Sequence, residues 1–181
     1  MKSGALKRIT VTGSESTGKT WLAARLAHHF ETVWVPEFAR EYVKQKAAPL
    51  DASDVEPIAH GQIKLEDTIL SRAHDLAVLD TDLVSTVVYA EHYYGMCPAW
   101  IERAARERLA HHYLLCDVDV PWVPDVARDR PDAREEIHAA FAQRLDRYGA
   151  TRTLVRGTWE QRAATAISAI ESLLASPGRP A

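Results

Sequence analysis

Gly13-Ser14-Glu15-Ser16-Thr17-Gly18-Lys19-Thr20 has the residue types and spacing needed to hold a polyphosphate. It fits G-x-x-x-x-G-K-[ST], with the alternating run Arg8-Ile9-Thr10-Val11-Thr12 before it and the helix-like Trp21-Leu22-Ala23-Ala24-Arg25-Leu26-Ala27 after it. Gly13 and Gly18 let the backbone turn its N–H groups inward, and Ser14, Glu15, Ser16 and Thr17 supply the amides between them. The positive end of the following helix adds to the same anion cradle. Lys19 is placed to reach the β- and γ-phosphates, and Thr20 to offer a hydroxyl to Mg²⁺. The chemistry expected is binding of ATP with Mg²⁺ and transfer of its terminal phosphoryl group. An ordinary glycine-rich turn would need two glycines, a lysine and a hydroxyl to coincide in the right flanks.

Other candidates follow along the chain. Glu37 opens a helical segment just after a short apolar strand, at the edge where open α/β sheets hold ligands, and Arg40 lies one turn on. Both are candidates for the acceptor, Glu37 also as a base. Gln62 and Glu66 interrupt an apolar stripe where further apolar residues would fit, and Gln62 is a substrate candidate. Leu76-Ala77-Val78-Leu79-Asp80 reads as a buried strand releasing an acid beside the metal, so Asp80 joins Thr20 as a metal candidate. Asp82 is open between capping the next helix and acting on substrate as base or contact. Arg128, Arg130 and Arg134 lie in a proline-bearing segment leaving the fourth strand, which suits a lid that brings guanidinium charge to the phosphoryl group. Arg128 and Arg134 are its catalytic candidates; pairing with nearby carboxylates is the alternative. Gly157, in the turn before the last helix, stands where a base-holding loop is expected.

The elements that must position these residues read as strands 7–12, 32–35, 76–82, 113–118 and 153–156. Helices span 19–31, 36–43, 55–74, 83–94, 98–111 and 133–148, and a last one follows the turn 156–159 and runs to 175. Pro36 is read in the first turn of its helix, and Ser53-Asp54-Val55-Glu56 as the cap of the long one. Arg103, Arg106 and Arg108 read as a solvated face, His28, His29, His111 and His112 as helix-end residues. Tyr93, Tyr94 and Met96 read as packing, with aromatic stacking on a base the alternative. Strands alternating with helices imply a parallel sheet covered on both faces, an α/β P-loop NTPase fold in the order 2-3-1-4-5, which brings Asp80 beside Lys19.

The chain of 181 residues is read as one domain, 1–175, with a frayed tail at 176–181. A net charge of −3 with dispersed basic residues argues against nucleic acid and anionic membranes as partners. No apolar run or leader suggests a membrane or export, and Cys97 and Cys116 lack metal or redox spacing. The expectation is a soluble cytoplasmic protein with a small-molecule partner and undefined oligomeric state.

On the phosphate loop, Glu37-Phe38-Ala39-Arg40-Glu41-Tyr42-Val43, Asp80-Thr81-Asp82, Pro121-Trp122 with Asp125 and Arg128, and Arg134, the sequence resembles a known family. It is the NadR-type ribosylnicotinamide kinase domain, a P-loop group of AAA-type ATPases with stand-alone members. The resemblance implies a nucleoside kinase that phosphorylates the 5′-hydroxyl of nicotinamide riboside, giving nicotinamide mononucleotide and ADP in NAD salvage. Pro36 stands where the family has a Trp near the nicotinamide ring, and Val126 where it has a Gly. The regulators carry DNA-binding and adenylyltransferase portions ahead of the kinase; with a strand beginning within ten residues of Met1, those functions are expected to be absent. A nucleoside monophosphate kinase and a non-catalytic ATP-dependent switch are the alternatives.

Overall fold

The alternation in the first strand serves two packing layers at once. A computed structural model describes residues 6–123 and 133–175. In β1, Lys7–Thr12, Ile9 and Val11 pack under α1, Lys19–His29, and α7, Trp159–Ala175, while Thr10 lies on the opposite face. The same period-two division runs through β3, Leu76–Asp80: Leu76 and Val78 join the α1 and α7 layer, whereas Ala77 and Leu79 meet Leu65 and Ile69 of α3, Val55–Leu70. In β4, His112–Cys116, Leu114 and Cys116 face α1. Tyr113 and Leu115 face α4, Leu83–Tyr94, and α6, Arg134–Arg147. Both faces are thus covered. The sheet is completed at its edges by β2, Val33–Val35, and β5, Arg152–Val155.

Five parallel strands lie in the order β2-β3-β1-β4-β5, as the alternation of strands and helices predicts. Val11 of β1 is level with Asp80 of β3, so the phosphate loop and the acid leave the sheet side by side at its carboxyl end. α2, Phe38–Lys46, and α5, Ala99–Glu107, complete the helices described.

Several boundaries differ from the sequence reading. β3 stops at Asp80, because Thr81 turns with φ 67° and donates its N–H to Val11 O at 2.9 Å. Pro36 precedes α2 instead of lying in its first turn; Glu37 is the N-cap. The long helix is capped one turn earlier than expected: Asp51 and Asp54 form a capping box around a short 3₁₀ turn, Ala52–Asp54. α3 ends at Leu70 and α5 at Glu107, both short of their expected ends. Arg108 is not on a solvated face; it pairs with Glu66 and Asp67 across from α3.

Candidate functional site

The phosphate loop has the conformation its spelling requires. Gly13 has φ 131°, and a Cβ there would lie 2.8 Å from the carbonyl oxygen of Cys116, so neither the dihedral nor the space admits a side chain. Ser16 also has positive φ, 55°, a strained value for a residue with a Cβ. Lys19 Nζ donates to Ser14 O at 2.8 Å, folding the ammonium back over the loop, and Thr17 Oγ1 donates to the same oxygen at 2.8 Å. The buried hydroxyls of Thr12 and Ser14 have no hydrogen-bond partner among the described residues, which fits a loop shaped for an oxygen-rich guest.

Thr20 Oγ1 donates to Asp80 Oδ2 at 2.6 Å. The other oxygen of Asp80 is buried and has no hydrogen-bond partner among the described residues. Burial pushes the Asp80 carboxyl above its ordinary value, opposed by Thr20, Lys19 and Arg40. A hydroxyl and a carboxylate side by side are hard oxygen donors; with phosphate oxygens they suit Mg²⁺, which takes few protein ligands. Among the described residues no group of three or more His, Cys, Asp or Glu could hold a metal by itself.

Asp82 is more thoroughly engaged than the sequence implies. Its Oδ1 caps α4 by accepting from Val84 N at 2.9 Å, and its Oδ2 accepts from Tyr113 Oη at 2.7 Å and Thr10 Oγ1 at 3.2 Å. Burial raises its pKa, against the pull of these donors. Gln62 is likewise held inside the protein: its oxygen accepts from Phe38 N at 2.9 Å and its nitrogen donates to Glu66 Oε1 at 3.0 Å.

A cavity of about 330 Å³ joins these parts. It is lined by the loop from Glu15 to Thr20, by Glu37, Arg40, Gln62 and Asp82, and by the aromatic rings of Tyr89, Tyr93 and Tyr94. The rings of Tyr89 and Tyr93 are nearly parallel, 15° apart with centroids 6.1 Å apart. Arg134, at the start of α6, donates to Ser16 O at 3.2 Å and Val120 O at 3.0 Å, which puts its guanidinium against the loop. Val123 N donates to Ser16 Oγ at 2.8 Å. Arg128 and Arg130 lie outside the described residues. Gly157 is away from this cavity's lining; its N–H donates to Asp119 Oδ2 at 2.6 Å.

The sequence profile of the AAA domain family matches residues 8–162. The chain belongs to the AAA domain family. The chain is 29% identical over 147 residues to the trifunctional NAD biosynthesis/regulator protein NadR of Escherichia coli (strain K12), a match covering 78% of this chain and 36% of that protein. The corresponding protein of Salmonella typhimurium is 29% identical over 127 residues, covering 68% of this chain and 31% of the relative. The chain thus spans about a third of the length of these curated relatives. Among solved structures, NadR in complex with NR superposes with a TM-score of 0.77 at 23% identity, over 97% of this chain and 51% of that one. NadR in complex with NAD and AMP-PNP gives 0.78 at 24% identity, also over 97% and 51%. Thymidylate kinase from Ehrlichia chaffeensis gives 0.69 at 16% identity, over 94% and 100%. These likenesses show the fold, a kinase-like P-loop arrangement.

This AAA domain also contains a residue that the sequence reading passed over. Arg162 of α7 is 1% exposed, and its guanidinium donates to Thr17 O at 3.1 Å, Gly157 O at 3.0 Å and Asp117 O at 3.1 Å, and to Asp119. It ties the phosphate loop to the turns after β4 and β5. The available signal was its place in the stripe Arg162, Ala163, Ala166, Ile170, where a charge interrupts an apolar face.

Proposed function

We propose that this chain transfers the γ-phosphoryl group of ATP to the 5′-hydroxyl of a nucleoside, with nicotinamide riboside as the foremost candidate. The observation that carries the reading is one cavity lined by the phosphate loop, by Glu37 and Arg40, and by Tyr89, Tyr93 and Tyr94. A nucleoside fits such a space: a planar ring against Tyr89 and Tyr93, and a sugar alcohol directed at the loop. Nicotinamide riboside carries a fixed positive charge on its ring. The aromatic faces of Tyr89, Tyr93 and Tyr94 favour such a cation. Relatives named for NAD biosynthesis support the same choice.

In the mechanism, the loop amides and Lys19 grip the polyphosphate, and Thr20 and Asp80 would hold Mg²⁺, which when bound neutralises charge on the β- and γ-oxygens. Glu37 accepts the proton of the acceptor hydroxyl as its oxygen bonds to the γ-phosphorus and the bond to the ADP oxygen breaks. The products are a phosphate monoester and ADP. Asp82, the other candidate base, also lines the cavity, and its two oxygens accept from Val84, Tyr113 and Thr10. Arg40 orients the acceptor, and Arg134 brings positive charge over the transferring group.

The test is ADP release from Mg·ATP with nicotinamide riboside, common nucleosides and nucleoside monophosphates, with Lys19→Ala as the blank. Turnover with nicotinamide riboside ahead of the other nucleosides is expected. Turnover of monophosphates alone would replace the reading by a monophosphate kinase, and ATP binding without ADP release by a switch.

A further inference from the structure

The Gln62 amide is gripped from two sides, and only one chemical state of its neighbour permits the grip. Its oxygen accepts from Phe38 N–H, at the start of α2, while its nitrogen donates to Glu66 Oε1. The other oxygen, Glu66 Oε2, accepts from Arg108 at 3.2 Å, and Arg108 also reaches Asp67 at 2.5 Å. Arginine can only donate, and Gln62 presents a donor as well, so the group between them must accept on both sides. An ionised carboxylate does so. A protonated carboxyl or an amide carries a donor that Arg108 cannot receive. That donor turns to Gln62, whose amide then rotates and sets its NH₂ against the N–H of Phe38.

We propose that Glu66 is a positioning residue: its carboxylate, wedged between Arg108 and Gln62, fixes the Gln62 amide and through it the start of α2, which carries Glu37 and Arg40 to the cavity wall. The proposal rests on the reading of that cavity as the acceptor site. The join between α2 and α3 is close enough to transmit the change, since a Cβ at Gly61 would fall on the Phe38 ring. Glu66 itself is 1% exposed, so water cannot substitute for a lost partner. Burial, then the Asp82 charge at the start of α4, raise its pKa to about 7, against Gln62 and Arg108. Asp67 competes for the same guanidinium, and β2 brings only Val33, Trp34 and Val35.

The test follows the Phe38 backbone amide by ¹⁵N-correlated NMR from about pH 5.5 to 8.5. In the unsubstituted protein it is expected to titrate with a midpoint near 7, and in Glu66→Gln to be flat. At alkaline pH, Glu66→Gln is expected to raise the acceptor KM about tenfold and leave the ATP KM unchanged. Adding Arg108→Met removes the obligate donor, lets the new amide turn its oxygen to Gln62, and is expected to restore the acceptor KM. A Phe38 amide that does not titrate, equal rises in both KM values, or a double variant no better than the single one would each overturn the proposal. A titrating Phe38 amide in a protein that phosphorylates no nucleoside would support the hold on α2 and remove the kinase reading alone.

Discussion

Thr20 and Asp80 meet across 2.6 Å, a hydroxyl from the first turn of α1 on a carboxylate at the end of β3, though sixty residues separate them. Parallel pairing of β1 with β3 sets Val11 level with Asp80, so the loop leading to Thr20 starts beside the acid, and burial of Asp80 makes its charge costly to keep unless a positive group shares it. An acid placed at that cost is characteristic of a ligand site.

Asp80→Asn is therefore expected to lower phosphoryl transfer by about a hundredfold, in the range seen when one charge-stabilising group is removed. Thermal stability should hold or rise, because a buried charge is removed while the amide can still accept from Thr20. Turnover at saturating Mg·ATP beside a melting curve checks both; a large loss of stability would make Asp80 a structural residue.

Gly13→Ala is expected to destabilise the fold by about 2 kcal/mol, the scale of a forced backbone strain. The added Cβ meets the Cys116 carbonyl at 2.8 Å with φ at 131°. Urea unfolding measures this, and an unchanged midpoint would mean that the loop can shift away from β4 at no cost.

Arg162→Met should cost about 3–5 kcal/mol, since it strips the acceptors of Thr17, Gly157 and Asp117 of their shared donor and leaves the Asp119 charge behind. Arg162→Lys is expected to recover little, because a single ammonium cannot span the acceptors that a planar guanidinium reaches. The ATP KM should rise in both variants, as the phosphate loop loses its brace. Chemical denaturation and ATP titration read the two effects separately.

Glu66 predicts a pH-dependent stability. Burial and the Asp82 charge raise it from the ordinary 4.5 to about 7. Between those values the folded protein holds a proton that the unfolded chain has released, so this contribution is fullest below 4.5 and is lost as pH rises, levelling off above 7. The loss amounts to about 3 kcal/mol. Glu66→Gln should flatten the dependence over that window in denaturation curves taken at stepped pH. The ionised form that the positioning role requires is thus the less stable one, a common bargain at functional sites.

The phosphate loop, its strand and helix, and the order of the sheet were legible in the residues themselves. Local rules govern them: glycines where φ must be positive, a lysine and hydroxyl at fixed offsets, apolar alternation on each strand, and right-handed crossovers that leave few topologies. Candidate residues such as Glu37 and Asp80 could be named because their place at a strand end follows from short-range pattern alone. Tertiary structure alone decided what their neighbours are. It gave Asp82 to Tyr113, thirty-one residues away, Gln62 to Phe38 and Glu66, and Arg162 to Thr17, 145 residues away. A buried polar group takes whichever partner packing brings within reach, and that choice depends on how helices from distant parts of the chain settle on the sheet.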